Sequence, residues 1–490
     1  MQKIIPLTVT LLALAACRNN PEQTKSVAAS GNTGFYPADI TMSGELPSKE
    51  AIPALFDEMD YQQAVQCYLW ALPMVEIEAM KEVQEQTFGA TDNDLVVYTS
   101  YEDKLGIITG NATTPYIMAF MDLSKTGPFV IEVPAGAIAG GVSDCWQRSV
   151  LSIGEMGKAE GKYLLIPPGQ APVKDAGYNS TVCSTMTLWL GLRALDPDPA
   201  KALAIIRGVK MYPYAARKET PTTRVITPQG RRYKAIQPTG LRYFEMLHTI
   251  LQREPVEERD RFFVAWLDNL GVKKGQAFNP TEKQKNILIA AAQRGQLIAI
   301  ANSFKKRFEH SRHWPDRQWE YVLIMKDPMQ RAANFDEFYE RAAYFYEAAG
   351  YSKTMISKTP DVGQAYLATY ADKNGDWLAG AQNYTLHIPG NPPAINFWSI
   401  TVYDAATRCL IDNPQHNADL SSRKDLMKNS DGSVDLYFGP KVQQGKERNW
   451  IQTIEGKHWF VYFRLYGPTT AYFDKSWKAG DIEQIKQQGR

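Results

Sequence analysis

The sequence predicts an α+β protein with two β-sandwich or jelly-roll-like domains and a largely helical segment between them. Three observations predict it. Short apolar runs bounded by Gly- and Pro-bearing turns fill residues 95–195, helix-period apolar residues dominate 240–350, and strand-like runs return from about 364. Several short strands at this spacing favour a sandwich or jelly roll. The organisation that follows is a leader over 1–16 and a tether over 17–50. An N-terminal helix plus β-rich domain spans 51–235, a mostly helical segment 236–360, and an antiparallel β-rich domain 361–490.

The first element is a helix over 52–85, where Leu55, Met59, Ala64, Cys67, Ala71 and Met74 recur at helical spacing. Glu76, Glu78, Lys81 and Glu82 are expected to solvate its other side. Strands follow at Pro115–Leu123, Phe129–Val133, Trp146–Ile153 and Lys162–Ile166, separated by turns such as Lys125-Thr126-Gly127-Pro128 and Pro167-Pro168-Gly169. Asp198-Pro199 opens a helix to about Lys210, with Asp as N-cap and Pro at the first helical position. A longer helix runs from Thr281 to Phe308, opened by a Thr281/Gln284 capping box. Its apolar line is Ile287, Ala291, Gly295, Ile298, Ala301, Phe304 and Phe308, a packing face. The C-terminal strands are Ala365–Tyr370, Asn383–Ile388, Phe397–Tyr403, Val434–Phe438 and Trp459–Tyr466, with a hairpin signal at Asn429-Ser430-Asp431-Gly432.

Composition narrows the function classes. Lys plus Arg is 54 against 53 for Asp plus Glu, so no basic field points to nucleic acid. Six His leave little room for a multi-histidine metal centre, and no metal or cofactor is indicated. The N-terminus reads as an address. Lys3 precedes the mostly apolar Ile4–Ala16, too short to cross a bilayer core of about 30 Å. Leu14-Ala15-Ala16-Cys17 looks like the lipobox of bacterial lipoproteins, with Cys17 the lipidated residue. Several acyl chains, palmitate among them, would hold the chain at a membrane more stably than one. Arg18 resembles the residue of lipoproteins sent to the outer membrane, facing the periplasm or the exterior. Four cysteines remain, Cys67, Cys145, Cys183 and Cys409; they allow three pairings, and no CxxC is present.

Catalytic signatures are missing: there is no GxSxG, HExxH or GxGxxG. The glycines around Lys158 and Lys162 lack the spacer and the Ser or Thr of a phosphate loop and read as a hairpin. His310 and His313 are read as helix-terminal cations, and Asp372, Asn374 and Asp376 as a turn. More informative is the last strand, where Trp459, Val461, Phe463 and Leu465 alternate with Phe460, Tyr462, Arg464 and Tyr466. The second face sets a cation between two phenols, which could grip a carboxylate, sulfate or sugar. The candidate ligand-binding residues are therefore Tyr403, Asn449, Trp450, Tyr462, Arg464 and Tyr466. For Arg464 itself a structural role, stacked on aromatics against a neighbouring part of the chain, is the favoured reading.

Longer motifs resemble a bacterial family with paired domains of unknown function, numbers 1254 and 1214. The N-terminal match runs through Tyr61-x-x-Ala64, Tyr68-x-Trp70-Ala71-Leu72-Pro73, Asn111 to Tyr116, Gly127 to Pro134, Trp146-Gln147-Arg148 and Gly161 to Gly169. The C-terminal match runs through Phe397 to Asp404, Asp412 to Gln415, Asp431 to Asp435, Asn449-Trp450-Ile451, Phe463 to Pro468 and Ser476-Trp477. The resemblance implies two sandwich or jelly-roll domains with helical additions, is compatible with oligomers, and carries no established reaction. Thr113 stands where the family usually carries an acidic residue. The favoured function is an envelope-anchored lipoprotein that binds a small molecule or glycan; the alternative is an extracytoplasmic hydrolase or lyase with a cleft between the two β domains. A homo-oligomer is compatible with either.

Overall fold

The computed structural model describes residues 40–154, 159–196, 198–219, 222–351, 353–356 and 358–486. The leader and Cys17 lie outside the described residues, as do parts of the Gly157-Lys158 segment. The chain forms two compact units that divide between Glu58 and Met59. In the first, β1 (Met42–Ser43) pairs antiparallel with β2 (Leu46–Pro47). The helix α1 (Ile52–Glu82) begins there and runs on into the second unit.

In the second unit, β3 (Leu95–Tyr98) is followed by the one-turn α2 (Tyr101–Lys104), β4 (Tyr116–Asp122) and α3 (Leu123–Thr126). Then come β5 (Phe129–Val133), β6 (Ile138–Asp144), β7 (Ser149–Ile153), β8 (Gly161–Ile166), β9 (Asn179–Val182) and β10 (Thr187–Ala194). After α4 (Pro199–Gly208) come β11 (Lys210–Pro213) and β12 (Val225–Ile226). These strands make a six-stranded sheet, β12-β3-β4-β10-β6-β7, and a four-stranded sheet, β11-β5-β8-β9. One core joins them. Ile117, Ala119, Leu188 and Leu190 from the larger sheet share a buried cluster with Phe129, Ile131 and Leu165 from the smaller. Burial of alternate residues from two sheets is the signature of a sandwich.

The helical stretch supplies α5 (Leu241–Arg253), α6 (Arg261–Asn269), α7 (Glu282–Phe304) and α8 (Phe338–Glu347), with the short β13 (Glu320–Tyr321) between the last two. The C-terminal strands are β14 (Gln364–Thr369), β15 (Tyr384–Ile388), β16 (Ala394–Asp404), β17 (Asp419–Ser421), β18 (Val434–Gly439), β19 (Trp450–Gln452), β20 (Trp459–Pro468) and β21 (Ile482–Gln484), with α9 (Thr470–Phe473) near the end. They form the sheets β13-β14-β20-β16-β17 and β19-β18-β15-β21. Leu367, Ile400, Val461 and Phe463 share a core with Leu386, Leu436, Ile451 and Ile482, which makes a second sandwich. The span is antiparallel except where β18 and β19 run parallel. None of the described helices is long and apolar enough to cross a membrane.

Several expectations change on contact with the structure. Glu76, Glu78 and Lys81 are buried, not solvating, because α1 is enclosed on all sides from Cys67 to Lys81. Each finds a partner: Gln147 Nε2 donates to Glu76 at 2.9 Å, Arg253 pairs with Glu78, and Lys81 pairs with Glu85. The strand expected at Trp146 starts at Ser149, since Trp146, Gln147 and Arg148 form a turn with Gln147 at φ 62°. The Asp144 carboxylate closes it, accepting from the backbone N–H of Trp146 and Arg148. The capping box at Thr281 and Gln284 is present, but α7 ends at Phe304. Its buried line turns through Leu288, Ala292 and Ala299, leaving Ile298 and Ala301 outside. Asn429 to Gly432 forms a turn ahead of β18 without a partner strand before it. All four described cysteines are buried thiols.

Candidate functional site

Alternation in the six-stranded sheet sends Leu188, Leu190 and Leu192 of β10 into the sandwich core. Trp189, Gly191 and Arg193 therefore point to the opposite face, where Gly191 lies across from Met118 on one side and Gly141 on the other. This face is the floor of a cavity of about 270 Å³. Its roof includes Thr109, Tyr351, Gln364 and Tyr366. The volume is near the lower end of the roughly 300–1,000 Å³ of small-molecule pockets. Glycine is required at two floor positions. A Cβ on Gly140, which sits at φ 150°, would overlap the Gly191 carbonyl, and one on Gly141 would overlap the Leu151 carbonyl.

The cavity has one cationic end. The Arg193 guanidinium lies 4.8 Å from the centre of the Tyr116 ring, and its Nη2 donates to the Tyr116 hydroxyl at 3.3 Å. That hydroxyl also accepts from the Asn111 backbone N–H at 2.8 Å. The Asn111 side-chain amide in turn donates to Tyr466. Behind this layer stands Arg464, fully buried on β20. Its Nη2 donates to the Thr109 carbonyl at 2.8 Å and its Nη1 to Thr401 Oγ1 at 3.1 Å. The rings of Tyr462, Tyr403 and Tyr366 surround it at 5.1–5.7 Å. A third cation, Lys104, donates to the Ala112 carbonyl at 3.2 Å. Among the described residues, Lys104, Arg193 and Arg464 form no ion pair within 4.0 Å.

Thr109 is the joint of this arrangement. It holds a left-handed φ of 38°, which a β-branched residue adopts only when its neighbours enforce it. They do so from three sides. The Thr109 N–H donates to the Arg408 carbonyl at 2.7 Å, its hydroxyl donates to the Glu347 carbonyl at 3.0 Å, and its own carbonyl accepts from Arg464.

Burial pushes Lys104 down to about 8, with Arg193 adding to the effect and Asp419 and Asp103 opposing it. The ordinary value is 10.5, so between about pH 8 and 10.5 the unfolded chain holds a proton that the folded one has released. The stability tied to this group is therefore present above 10.5 and lost as pH falls through 8. Lys104→Met is expected to be more stable than the parent at pH 7, by about 1–3 kcal/mol. Denaturation curves across this range should show the advantage shrinking as pH rises; an advantage independent of pH would refute the assignment.

Of the six residues singled out from sequence, Tyr403, Tyr462, Arg464 and Tyr466 share one face of the five-stranded sheet. Tyr403 donates to the Gly110 carbonyl at 2.9 Å, Tyr462 to Glu347 at 3.0 Å, and Tyr466 stacks on Phe397 at 3.9 Å. Asn449 and Trp450 lie with the four-stranded sheet instead. The Asn449 amide bonds the backbone of Met427 and Asp435, and Trp450 Nε1 donates to the Gly439 carbonyl. None of the six borders the cavity. Sequence reasoning missed Arg193, Tyr116, Thr109 and Tyr366. The alternation of Leu188, Leu190 and Leu192 with Trp189, Gly191 and Arg193 was the signal for the first.

The minor motifs resolve locally. The Asp372 carboxylate accepts from the backbone N–H groups of Asn374 and Asp376, which makes a turn. His313 lies past the end of α7, buried, with Nδ1 at 2.7 Å from the Tyr321 hydroxyl; burial pushes it down to about 3. Among the described residues no group of three or more His, Cys, Asp or Glu could hold a metal.

The fold has counterparts among solved structures. It is similar to the VPA0106 protein from Vibrio parahaemolyticus, at 14% identity and a TM-score of 0.52, covering 87% of this chain and all of that one. It is less similar to an uncharacterized protein from Burkholderia cenocepacia, at 13% identity and a TM-score of 0.39, covering 88% of this chain and 94% of that one. At these identities the likeness concerns the fold. No curated protein matches the sequence. Residues 93–213 match the family described as protein of unknown function DUF1254, and residues 363–470 match protein of unknown function DUF1214. The chain carries a DUF1254 domain followed by a DUF1214 domain.

Proposed function

We propose that this chain binds a small organic anion in the cavity above β4, β10 and β6. The observation that carries the reading is Arg193, which borders a mainly apolar cavity and has no carboxylate partner among the described residues. A buried guanidinium is stabilised by a planar anion that takes two of its N–H groups at once. Lys104 and Arg464 add positive potential from behind, where low dielectric strengthens it. Apolar Met118 and Trp189 suit the body of the ligand. The residues bordering the cavity include no Asp, Glu, His or Cys to activate the Ser and Tyr hydroxyls there. This supports binding over hydrolysis or elimination.

Calorimetric titration of the purified full chain with a panel of carboxylates, sulfonates and phosphate esters tests the reading. Arg193→Gln is expected to weaken binding about 10- to 100-fold, since charge-assisted hydrogen bonds contribute roughly 1.5–3 kcal/mol. Binding that survives the substitution unchanged would exclude the site.

The cell-envelope location is part of the same proposal, carried by Leu14-Ala15-Ala16-Cys17 after a short apolar stretch. Cys17→Ser is expected to release the protein from membranes or to leave its precursor unprocessed. A correctly cleaved Cys17→Ser chain that still pellets with membranes would contradict the lipid anchor.

A further inference from the structure

Resting on the anion-binding reading, we propose that the ligand is an elongated, flat organic acid with a neutral hydrogen-bonding group at its far end. The argument comes from the strand register of the cavity floor. Side chains on this face of β10 occur at every second residue, giving three rows at Arg193, Gly191 and Trp189. In the Arg193 row, Ala139 lies opposite on β6. The middle row pairs Met118, Gly191 and Gly141. In the last row, Trp189 lies opposite Ser143, which itself pairs with Ser149 of β7. The Cα atoms of Arg193 and Trp189 are about 13 Å apart at roughly 3.3 Å per residue. The cavity therefore has a cationic end, a middle floored by the backbone of Gly191 and Gly141 with Ser152 at its β7 edge, and an end with two hydroxyls.

Those hydroxyls are the independent observation. Ser143 is 8% exposed and borders the cavity, as does Ser149. Neither hydroxyl has a protein hydrogen-bond partner among the described residues. A buried polar group without a partner is uncommon because the lost hydration is not returned. Ser149 is half-buried, so the deficit falls on Ser143, and Trp189 Nε1, which borders the same cavity, is buried without a partner among the described residues as well. Two such groups at one end of a cavity call for a ligand atom that can bond them. The middle row sets the shape. At Gly191 and Gly141 the floor is backbone alone, between Met118 and Ser152, and the Trp189 ring lies beside Gly191. A planar body fits such a slot with little loss of ligand conformational freedom. A mono-functional anion would satisfy Arg193 and leave the serines unmet.

The test uses matched acids on the full chain: benzoate with 4-hydroxybenzoate, and cinnamate with 4-hydroxycinnamate. For at least one pair the hydroxylated acid is expected to bind about five- to tenfold more tightly, the size of one hydrogen bond. Ser143→Ala combined with Ser149→Ala should erase that preference and leave the unsubstituted acid within about twofold of its original affinity. Equal affinity within both pairs, or a preference that persists without the serines, overturns the inference. If binding is then still lost in Arg193→Gln, the anion site stands without it. If no acid binds, both readings fall together. The comparison within the unmodified protein does not depend on any variant folding.

Discussion

Arg464→Ala is expected to destabilise the protein by roughly 3–5 kcal/mol, the range for emptying a large, fully enclosed side-chain site. The guanidinium is 3% exposed and walled by Tyr366, Tyr403 and Tyr462, so nothing can flow in to replace it. Its loss also strips the Thr109 carbonyl of a charged donor at 2.8 Å, at the residue whose backbone is least able to hold its own conformation. Arg464→Met separates the two causes. It keeps most of the volume and removes the charge, so its cost is expected to be about half that of Ala. Chemical denaturation of both variants measures the difference. If Ala melts within a few degrees of the parent and yet abolishes anion binding, Arg464 is a ligand contact and the structural role assigned to it fails.

Arg464 also shows how far the sequence could be read. Alternation along β20 separated its face from the Trp459-Val461-Phe463-Leu465 face, and the structure keeps that division. A cation on a buried strand face had to find a ligand or a protein acceptor, and Thr109 with Thr401 is the acceptor. What the pattern could not reveal is that Thr109 lies 355 positions away and reaches β20 through a left-handed turn. Strands and caps depend on neighbours in sequence, which is why β5, the Asp198 cap and the Thr281 capping box were legible. The cavity depends on which strand faces meet, and that is a property of topology. One Arg after Trp189 and Gly191 looks like any strand end, so Arg193 does not stand out in the sequence. Glu76 and Glu78 were misplaced because charge on a helix predicts solvent only when no Gln147 or Arg253 waits on the other side.

Asn449 and Trp450 group with Arg464 in the sequence alone. They are near it in sequence, but they belong to the opposite sheet of the same sandwich. Their polar atoms serve the backbone around β18, so substitution there should act on folding of that sheet. The cavity instead draws its charge from β10 and its supports from β20, two strands separated by most of the chain.

Glu347→Ala should have an effect as large as that of Arg464→Ala, because it breaks a closed polar cluster. Glu347 ends α8 with no exposed surface. Its carboxylate accepts from the Tyr370 hydroxyl at 2.7 and 2.8 Å and from Tyr462 at 3.0 Å, and Lys306 Nζ stands 3.7 Å away. Lys306 also donates to Tyr370 at 2.9 Å and faces Glu320 at 3.6 Å. Burial pushes the Glu347 carboxyl up, against the pull of Lys306 and the two phenols. Removing it leaves two buried hydroxyls without acceptors and a buried ammonium with one distant carboxylate. Such a break costs roughly 3–5 kcal/mol. Glu347→Gln keeps an acceptor for the phenols and should cost only about 1–2 kcal/mol. Adding Lys306→Met to Glu347→Ala should recover part of the loss, since the unpaired cation goes with its partner. A Glu347→Ala protein within about 1 kcal/mol of the parent would mean that the cluster contributes no stability.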